Sequence, residues 1–371
     1  MPSAMIRQRI IPSAKRIVVK VGTNTVCHAS GGVNHEAVEA LAVQIAALIH
    51  KGIGMTLVAS GAIGTGLAEL GLTGRPKAMP MLQGVAAIGQ GQLMRTFHDA
   101  FARLGVRVGQ VLLTREDFEY RRRYLNIRNT LAALRQMGAL AIVNENDTVA
   151  VEEIRFGEND ILAALVANML GAELLVFLTS VDGVLDGGKV LDVIEQVDEK
   201  VLALVTRERS SLGSGGMATK LAAAGMVSRA GAVVVVAPAR MPDVLARLLA
   251  GEQIGTVFLP ARRRMSSRRR WIGQASRVAG RILVDAGAAK ALLSSGKSLL
   301  PSGITAVAGK FAKGTIVAVL DPTGREIARG QTNYSADQID KIKGLKTGQI
   351  AKVLGEKPCD EVIHRNNMTL G

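Results

Sequence analysis

The 371-residue sequence predicts an α/β fold, an αβα sandwich on a largely parallel sheet, followed by a small β-rich barrel. Two observations carry this. The first 260 residues alternate short apolar runs with longer stretches of helical periodicity, the pattern of a parallel sheet covered on both faces. After an arginine-rich run the texture changes to short β-rich segments separated by Gly and Pro turns.

In chain order, strands are expected at Arg16 to Gly22, Met55 to Ser60, Val106 to Leu113, Ala139 to Asn144, Glu173 to Thr179 and Val233 to Ala237. Helices are expected at His35 to His50, Met81 to Leu104, Tyr124 to Met137, Asp160 to Leu170, Met217 to Ala230 and Asp243 to Leu249. In the tail, Arg281 to Asp285, Gly314 to Leu320 and Glu326 to Gly330 read as strands. Turns fall at Ser302-Gly303 and Pro322-Thr323-Gly324. The polar and glycine-rich motifs all lie where a strand ends, and in open α/β sheets that edge is where ligands bind.

Composition bounds the class. A chain of this length exceeds what one core usually serves, and 48% apolar with 21% charged residues is globular composition. Cys27 and Cys359 lie at opposite ends of the chain without metal-ligand spacing, so neither a disulfide nor a zinc site is expected. Met1 to Ala14 lacks a continuous apolar h-region and reads as a short disordered lead-in. Ile161 to Val184 is interrupted by Asn168, Gly171 and Glu173, so it reads as a buried helix then a buried strand, with no membrane span. The net charge of +15 is concentrated after residue 260, beginning with six arginines at 262–264 and 268–270. A solvated connector or subunit contact is preferred there to a nucleic-acid patch.

There is no G-x-x-x-x-G-K-[ST] and no G-x-G-x-x-G opening a helix after a strand, so neither a P-loop nor a Rossmann site is licensed. Five other pieces stand in their place. Lys20 interrupts the apolar strand Ile17-Val18-Val19-Lys20-Val21, where a charge is costly unless an anion waits for it; the alternative is an edge lysine facing water. Gly22 and Thr23 follow and leave an open strand end. Met55 to Ser60 runs into the glycine-rich turn from Gly61 to Gly66, which could offer N–H groups to an anion or be an ordinary turn. Asn144-Glu145-Asn146-Asp147-Thr148 and Gly157-Glu158-Asn159-Asp160 are polar knots at a strand end and a helix start; capping alone accounts for part of the second. An amino-acid ligand needs acceptors for its ammonium and donors for its carboxylate, and Asp147 and Asn159 suit those roles. Finally, Gly213-Ser214-Gly215-Gly216-Met217-Ala218-Thr219-Lys220 opens a helix, so backbone N–H groups and Lys220 could face one phosphate; the alternative is a flexible loop before a surface lysine.

With Lys20-Val21-Gly22-Thr23, Ser60-Gly61-Ala62-Ile63, Leu112-Leu113-Thr114-Arg115, Asn144 to Asp147, Asn159-Asp160 and Gly213 to Lys220 in this order, the chain resembles the glutamate 5-kinase family of the amino-acid kinase superfamily. Trp271, Leu299 to Ile304 and Gly314 onward are similar to the carboxyl-terminal PUA domain of its long form. The resemblance implies a lead-in at 1–14, an amino-acid kinase domain at 15–260, an arginine-rich linker at 261–273 and a PUA domain at 274–371. It implies transfer of the ATP γ-phosphoryl group to the side-chain carboxylate of L-glutamate in the cytoplasm, as the first step toward proline. Ser60, Gly61, Asp147 and Asn159 would hold glutamate. Lys20, Gly22, Thr179, Ser180 and the run Ser214, Gly215, Gly216, Met217, Ala218, Thr219 and Lys220 would hold ATP. Lys20 and Lys220 would neutralise charge with Asp160 organising them and Mg²⁺ bridging phosphate oxygens, no residue being assigned to the metal. Feedback inhibition by proline and a homo-oligomer, dimer or tetramer, follow from the same resemblance.

The chemistry agrees with that assignment, because a glutamate carboxylate is already a deprotonated nucleophile at neutral pH and needs no general base. The sequence departs from the family at Thr179-Ser180-Val181-Asp182-Gly183-Val184-Leu185, where the family usually has Thr-Asp and then Gly-Leu-Tyr and Asp-Pro. Asp182 is a candidate stand-in for the missing carboxylate. Two other readings are a sister kinase acting on N-acetylglutamate or aspartate, and an RNA-binding tail. The second is not favoured, since Phe311 and Tyr334 are the only aromatics after Trp271.

Overall fold

A run of valines, isoleucines and leucines is enough to bury a strand on both faces, and the computed structural model places these runs at the centre of an eight-stranded sheet. Residues 3–150, 158–207, 215–261 and 265–370 are described. They divide into two compact units, one comprising Met1–Asp117 and Tyr124–Arg264, the other Phe118–Arg123 and Met265–Gly371.

In the first unit the strands are β1 (Arg16–Val21), β2 (Gly54–Ala59), β3 (Arg107–Leu113), β4 (Ala139–Glu145), β5 (Leu174–Thr179), β6 (Val193–Ile194), β7 (Val233–Pro238) and β8 (Thr256–Phe258). Their order across the sheet is β3-β4-β2-β1-β5-β7-β8-β6, parallel throughout except for the antiparallel pair β7 and β8. The six strands expected from sequence are present, each within one residue at either end. β1 lies centrally, with Lys20 opposite Val58 of β2 and Phe177 of β5.

The helices are α1 (Ser3–Ile10), α2 (His35–His50), α3 (Ala62–Glu69), α4 (Met79–Ala102), α5 (Arg121–Gln136), α6 (Glu158–Leu170), α7 (Glu199–Arg207), α8 (Gly215–Arg229) and α9 (Val244–Leu249). α2 shows why they form where they do. Asn34 caps it by accepting from the Ala37 N–H at 3.1 Å, and Val38, Leu41, Ala42, Ile45 and Leu48 then bury one stripe against the sheet. Ile161 to Val184 resolves into α6 and β5 as expected, and among the described residues no helix is long and apolar enough to cross a membrane.

Three expectations are corrected. The amino terminus was expected as a disordered lead-in, yet α1 is held by Arg7, whose guanidinium is fully buried and donates to Asp192 Oδ1 at 3.0 Å and to the carbonyls of Ile254 and Gly255 at 2.7 Å. Partners so distant in sequence are invisible to a local reading. The stretch after Ser60, expected as a turn, enters α3 directly: Gly61 supplies the left-handed φ of 118° at its start. The end of the arginine run, expected as a solvated connector, is helical over Ser267–Arg270, and Arg270 is buried with its Nη1 donating to the Met265 carbonyl at 2.6 Å. Arg262, Arg263 and Arg264 lie outside the described residues.

The second unit is built on a five-stranded mixed sheet of β9 (Gly280–Val284), β10 (Ile304–Ala308), β11 (Ile316–Leu320), β12 (Glu326–Gln331) and β13 (Met368–Leu370), in the order β10-β9-β11-β12-β13. Ile282, Val317, Val319, Tyr334 and Ile339 fill its core. Within this unit the Trp271 indole N–H donates to the Phe118 carbonyl at 3.0 Å and the ring stacks under Arg121, whose guanidinium carbon is 5.0 Å from the ring centroid.

Candidate functional site

On β1 the pleat sends Ile17, Val19 and Val21 into the main core, so Val18 and Lys20 face the other side of the sheet. There Lys20 meets α6. Its ammonium lies 2.6 Å from Asp160 Oδ1, with the lysine side chain 6% exposed and the carboxylate 0% exposed. The second oxygen, Oδ2, accepts from Lys220 Nζ at 3.1 Å and from Thr219 Oγ1 at 3.0 Å, both on the first turns of α8. Two ammonium groups, two hundred residues apart in the chain, therefore share one buried carboxylate.

This cluster carries one more positive than negative charge out of water. Burial pushes the Lys20 ammonium below the usual lysine range, an effect that Asp160 opposes and Lys220 reinforces. An arriving polyanion relieves that imbalance. A glycine adjoins each ammonium: the Cβ position of Gly22 lies 3.7 Å from Lys20 Nζ and that of Gly216 lies 3.5 Å from Lys220 Nζ. The Gly216 carbonyl also accepts from Thr219 Oγ1 at 3.0 Å and Lys220 Nζ at 3.2 Å, which ties the lysine back onto its own helix start. α8 opens at Gly215, and Met217 and Ala218 sit half-buried in its first turn; Ser214 lies outside the described residues.

Thr179 ends β5, one strand over from Lys20, and Ser180 follows it; neither hydrogen-bonds to the lysine pair among the described residues. The Ser180 carbonyl accepts from Arg240 Nη1 at 3.1 Å, and Arg240 Nη2 donates to Asp182 Oδ1 at 2.6 Å. Asp182, the candidate stand-in carboxylate, is thus paired on the surface.

On the other flank, β2 ends at Ala59 and Ser60 hydrogen-bonds across to β1, its N–H donating to the Val21 carbonyl at 3.2 Å. Gly61 follows, where a Cβ would press on Cys27 Sγ and Val26 Cγ2 at 3.0 Å. β4 delivers Asn144, 3% exposed, and then a single 3₁₀ turn at Asp147–Val149. Burial pushes the Asp147 carboxyl up to about 6, against the opposing pull of Arg75. Asn144 Oδ1 accepts from the Glu145 N–H at 2.8 Å and from Asn159 Nδ2 at 3.1 Å, while Asn144 Nδ2 donates to Gln90 Oε1 at 2.7 Å. Asn159 is therefore more than a helix cap: one end of its amide is bound and the other, Oδ1, is buried with no hydrogen-bond partner among the described residues.

The strand ends thus bring Lys20, Asp160, Thr219 and Lys220 to one point, and Asn144, Asn159 and Gln90 to a neighbouring one. Gln90 was missed from sequence. Its only local signal is Gly89, where a Cβ would fall 1.9 Å from the Ala62 carbonyl oxygen, so that α4 lies hard against α3.

The comparisons with known proteins now bear on this geometry. The model of the amino acid kinase family matches residues 15–237, and that of the PUA domain matches residues 280–354. The chain is 48% identical over 362 residues to the glutamate 5-kinase of Caldanaerobacter subterraneus subsp. tengcongensis, covering 96% of this chain and 97% of that one. Identity is 45% over 365 residues to the glutamate 5-kinase of Moorella thermoacetica (96% and 97% covered) and 44% over 371 residues to that of Syntrophus aciditrophicus (98% and 96%). Among solved structures, the carbamate kinase of Giardia lamblia bound to AMP-PNP aligns with a TM-score of 0.50 at 18% identity, covering 67% of this chain and all of that one, a likeness of fold alone. With a matching family model over more than half its length and close relatives along nearly all of it, the chain belongs to the amino acid kinase family and, within it, to the glutamate 5-kinases.

Proposed function

We propose that the chain transfers the γ-phosphoryl group of ATP to the side-chain carboxylate of L-glutamate, giving γ-glutamyl phosphate on the way to proline. The observation that carries this reading is the buried triad of Lys20, Asp160 and Lys220 at the carboxyl edge of the sheet, with glycines beside both ammonium groups. A carboxylate oxygen of glutamate attacks the γ-phosphorus, the bond from that phosphorus to the bridging oxygen breaks, and ADP leaves. Negative charge shifts toward the leaving oxygen, and two fixed ammonium groups stabilise it there without reorganising. Asp160 holds the two lysines together against their mutual repulsion and aims them.

The remaining assignments belong to the same proposal. Gly22, Thr179, Ser180 and Ser214 to Lys220 form the nucleotide side; Ser60, Gly61, Asp147 and Asn159 form the glutamate side. Mg²⁺, an ion that dehydrates reluctantly, would be held chiefly through the nucleotide. Asp160 already commits its oxygens to lysines, and among the described residues no three His, Cys, Asp or Glu side chains gather, so phosphate oxygens would supply most of its ligands. Its chemistry there is charge neutralisation on the triphosphate. A kinase part at 15–260 joined through 261–273 to the second domain, a cytoplasmic location, a homo-oligomer and proline inhibition complete the reading.

An ADP-release assay with glutamate, aspartate and N-acetylglutamate in parallel tests the substrate. Only glutamate should give rapid turnover; preference for either of the others overturns the assignment. Lys220→Ala should lower turnover by ~2.7 kcal/mol or more with an unchanged melting temperature, comparable to losing one transition-state donor.

A further inference from the structure

The three amides of Gln90, Asn144 and Asn159 have only one consistent orientation. The Glu145 backbone N–H can only donate, so the Asn144 atom it meets at 2.8 Å must be the oxygen, and the amide nitrogen of Asn144 must then face Gln90. Gln90 in turn must offer Oε1 to Asn144, at 2.7 Å, and Asn159 must offer Nδ2 to Asn144 Oδ1, at 3.1 Å. One peptide N–H thus decides which atom is left over at each end of the chain of amides. The leftover atoms are Asn159 Oδ1, an acceptor, and Gln90 Nε2, a donor, and both are buried with no hydrogen-bond partner among the described residues. Leaving such groups unpaired is costly, and here one of each polarity is left.

We propose that Gln90 is a further substrate-binding residue, its Nε2 donating to the α-carboxylate of the amino-acid substrate, with Asn144 the positioning residue that sets this polarity. The inference rests on the glutamate reading above and deepens it. Asn159 Oδ1 at the other end is left as the acceptor for the α-ammonium. An α-amino acid carries one acceptor group and one donor group on the same carbon, and the relay presents their complements from one rigid unit. The rigidity has a source in packing: α4 carries Gln90 and is seated on α3 through Gly66 and Gly89, where a Cβ would fall 1.9 Å from the carbonyl oxygens of Val85 and Ala62 respectively.

The test is an exchange of polarity at constant shape. Gln90→Glu keeps an acceptor for Asn144 Nδ2 but turns the free end from donor to acceptor. The full chain is assayed with L-glutamate and with its α-carboxamide analogue, which retains the reacting side-chain carboxylate but carries an amide where the α-carboxylate was. Wild type should prefer glutamate. Gln90→Glu should raise KM for glutamate about 10-fold or more, leave KM for ATP within about twofold, and shift the glutamate-to-amide ratio of kcat/KM toward the amide by ~10-fold or more. Asn144→Asp should shift the ratio the same way without touching Gln90, because a carboxylate at 144 makes Gln90 turn its NH₂ inward and expose Oε1. An unchanged ratio in a folded Gln90→Glu protein overturns the relay while leaving the kinase reading intact. Absence of wild-type turnover on glutamate overturns the kinase reading itself, and the relay with it.

Discussion

The two halves of the site are built on opposite electrostatic plans. On the phosphate side each charge already has a partner, Lys20 and Lys220 being held by the two oxygens of Asp160. On the amino-acid side, buried polar atoms at Asn159 and Gln90 end with no hydrogen-bond partner among the described residues, and Asp147 sits with its carboxyl pushed up to about 6. The first half has its cations fixed before any ligand arrives and keeps one net positive charge for it; the second leaves complementary polar atoms that the ligand would fill. The difference follows from what each must recognise. Two mobile ammonium groups would repel and drift apart in a dry site, so an internal anion is required to fix them. A zwitterion brings its own donors and acceptors, so the protein can leave complementary atoms open and gain specificity from the penalty of an unfilled site.

The largest effect should come from breaking the completed half. Asp160→Asn keeps the shape of the side chain but removes the anion between two lysines, and kcat should fall by ~10³-fold or more, measured by ADP release under saturating substrates. The folded state should also lose about 3–5 kcal/mol in urea denaturation, because two buried ammonium groups are left uncompensated. Retention of more than a tenth of wild-type kcat would remove the contrast between the halves.

The next effect is a pH signature confined to the open half. A carboxyl that titrates near 6 in the free protein is neutral below that pH and cannot pair with an ammonium, so kcat/KM for glutamate should fall about tenfold per pH unit below about 6. Asp147→Asn should be weaker throughout and flat across this range. The stability sign is the reverse. Because the folded value lies above the ordinary 3.8, the fold favours the protonated form, and stability declines as pH rises from about 4 to about 6. Asp147→Asn should therefore be more stable than wild type above pH 6 without ligand, by up to ~3 kcal/mol. A variant no more stable at pH 8 would show that Asp147 is not held at a cost.

The smallest effect sharpens the comparison within the lysine cluster. Thr219→Val removes the hydroxyl that joins Asp160 Oδ2 to the Gly216 carbonyl, and should lower kcat by about 1–2 kcal/mol in ΔG‡ while leaving glutamate KM unchanged. A change in glutamate KM alone would mean that the two halves are one network.

Much of this was legible along the chain. Val, Ile and Leu runs bounded by polar residues placed six strands within a residue, and the helical stripe of His35–His50 was read to its ends. Lys20 was singled out because charge inside an apolar strand demands an anion, and the structure supplies Asp160 as that anion. What was not legible shares a cause. Arg7 looked like part of a loose terminus because its partners, Asp192, Ile254 and Gly255, lie far along the chain. Gly61 to Gly66 looked like a turn because glycine lowers helix propensity, whereas α3 needs Gly66 to let α4 approach. Gln90 looked like one more polar residue on a long helix.

By itself, then, the chain determined the elements, their alternation and the chemical types available at the strand ends, because hydrophobic period and residue chemistry are local properties. Only the tertiary structure decided which charges share an oxygen and which amide atoms are left over. Those outcomes depend on distances between residues far apart in sequence, and on a single backbone N–H whose direction is settled once β4 is seated in the sheet.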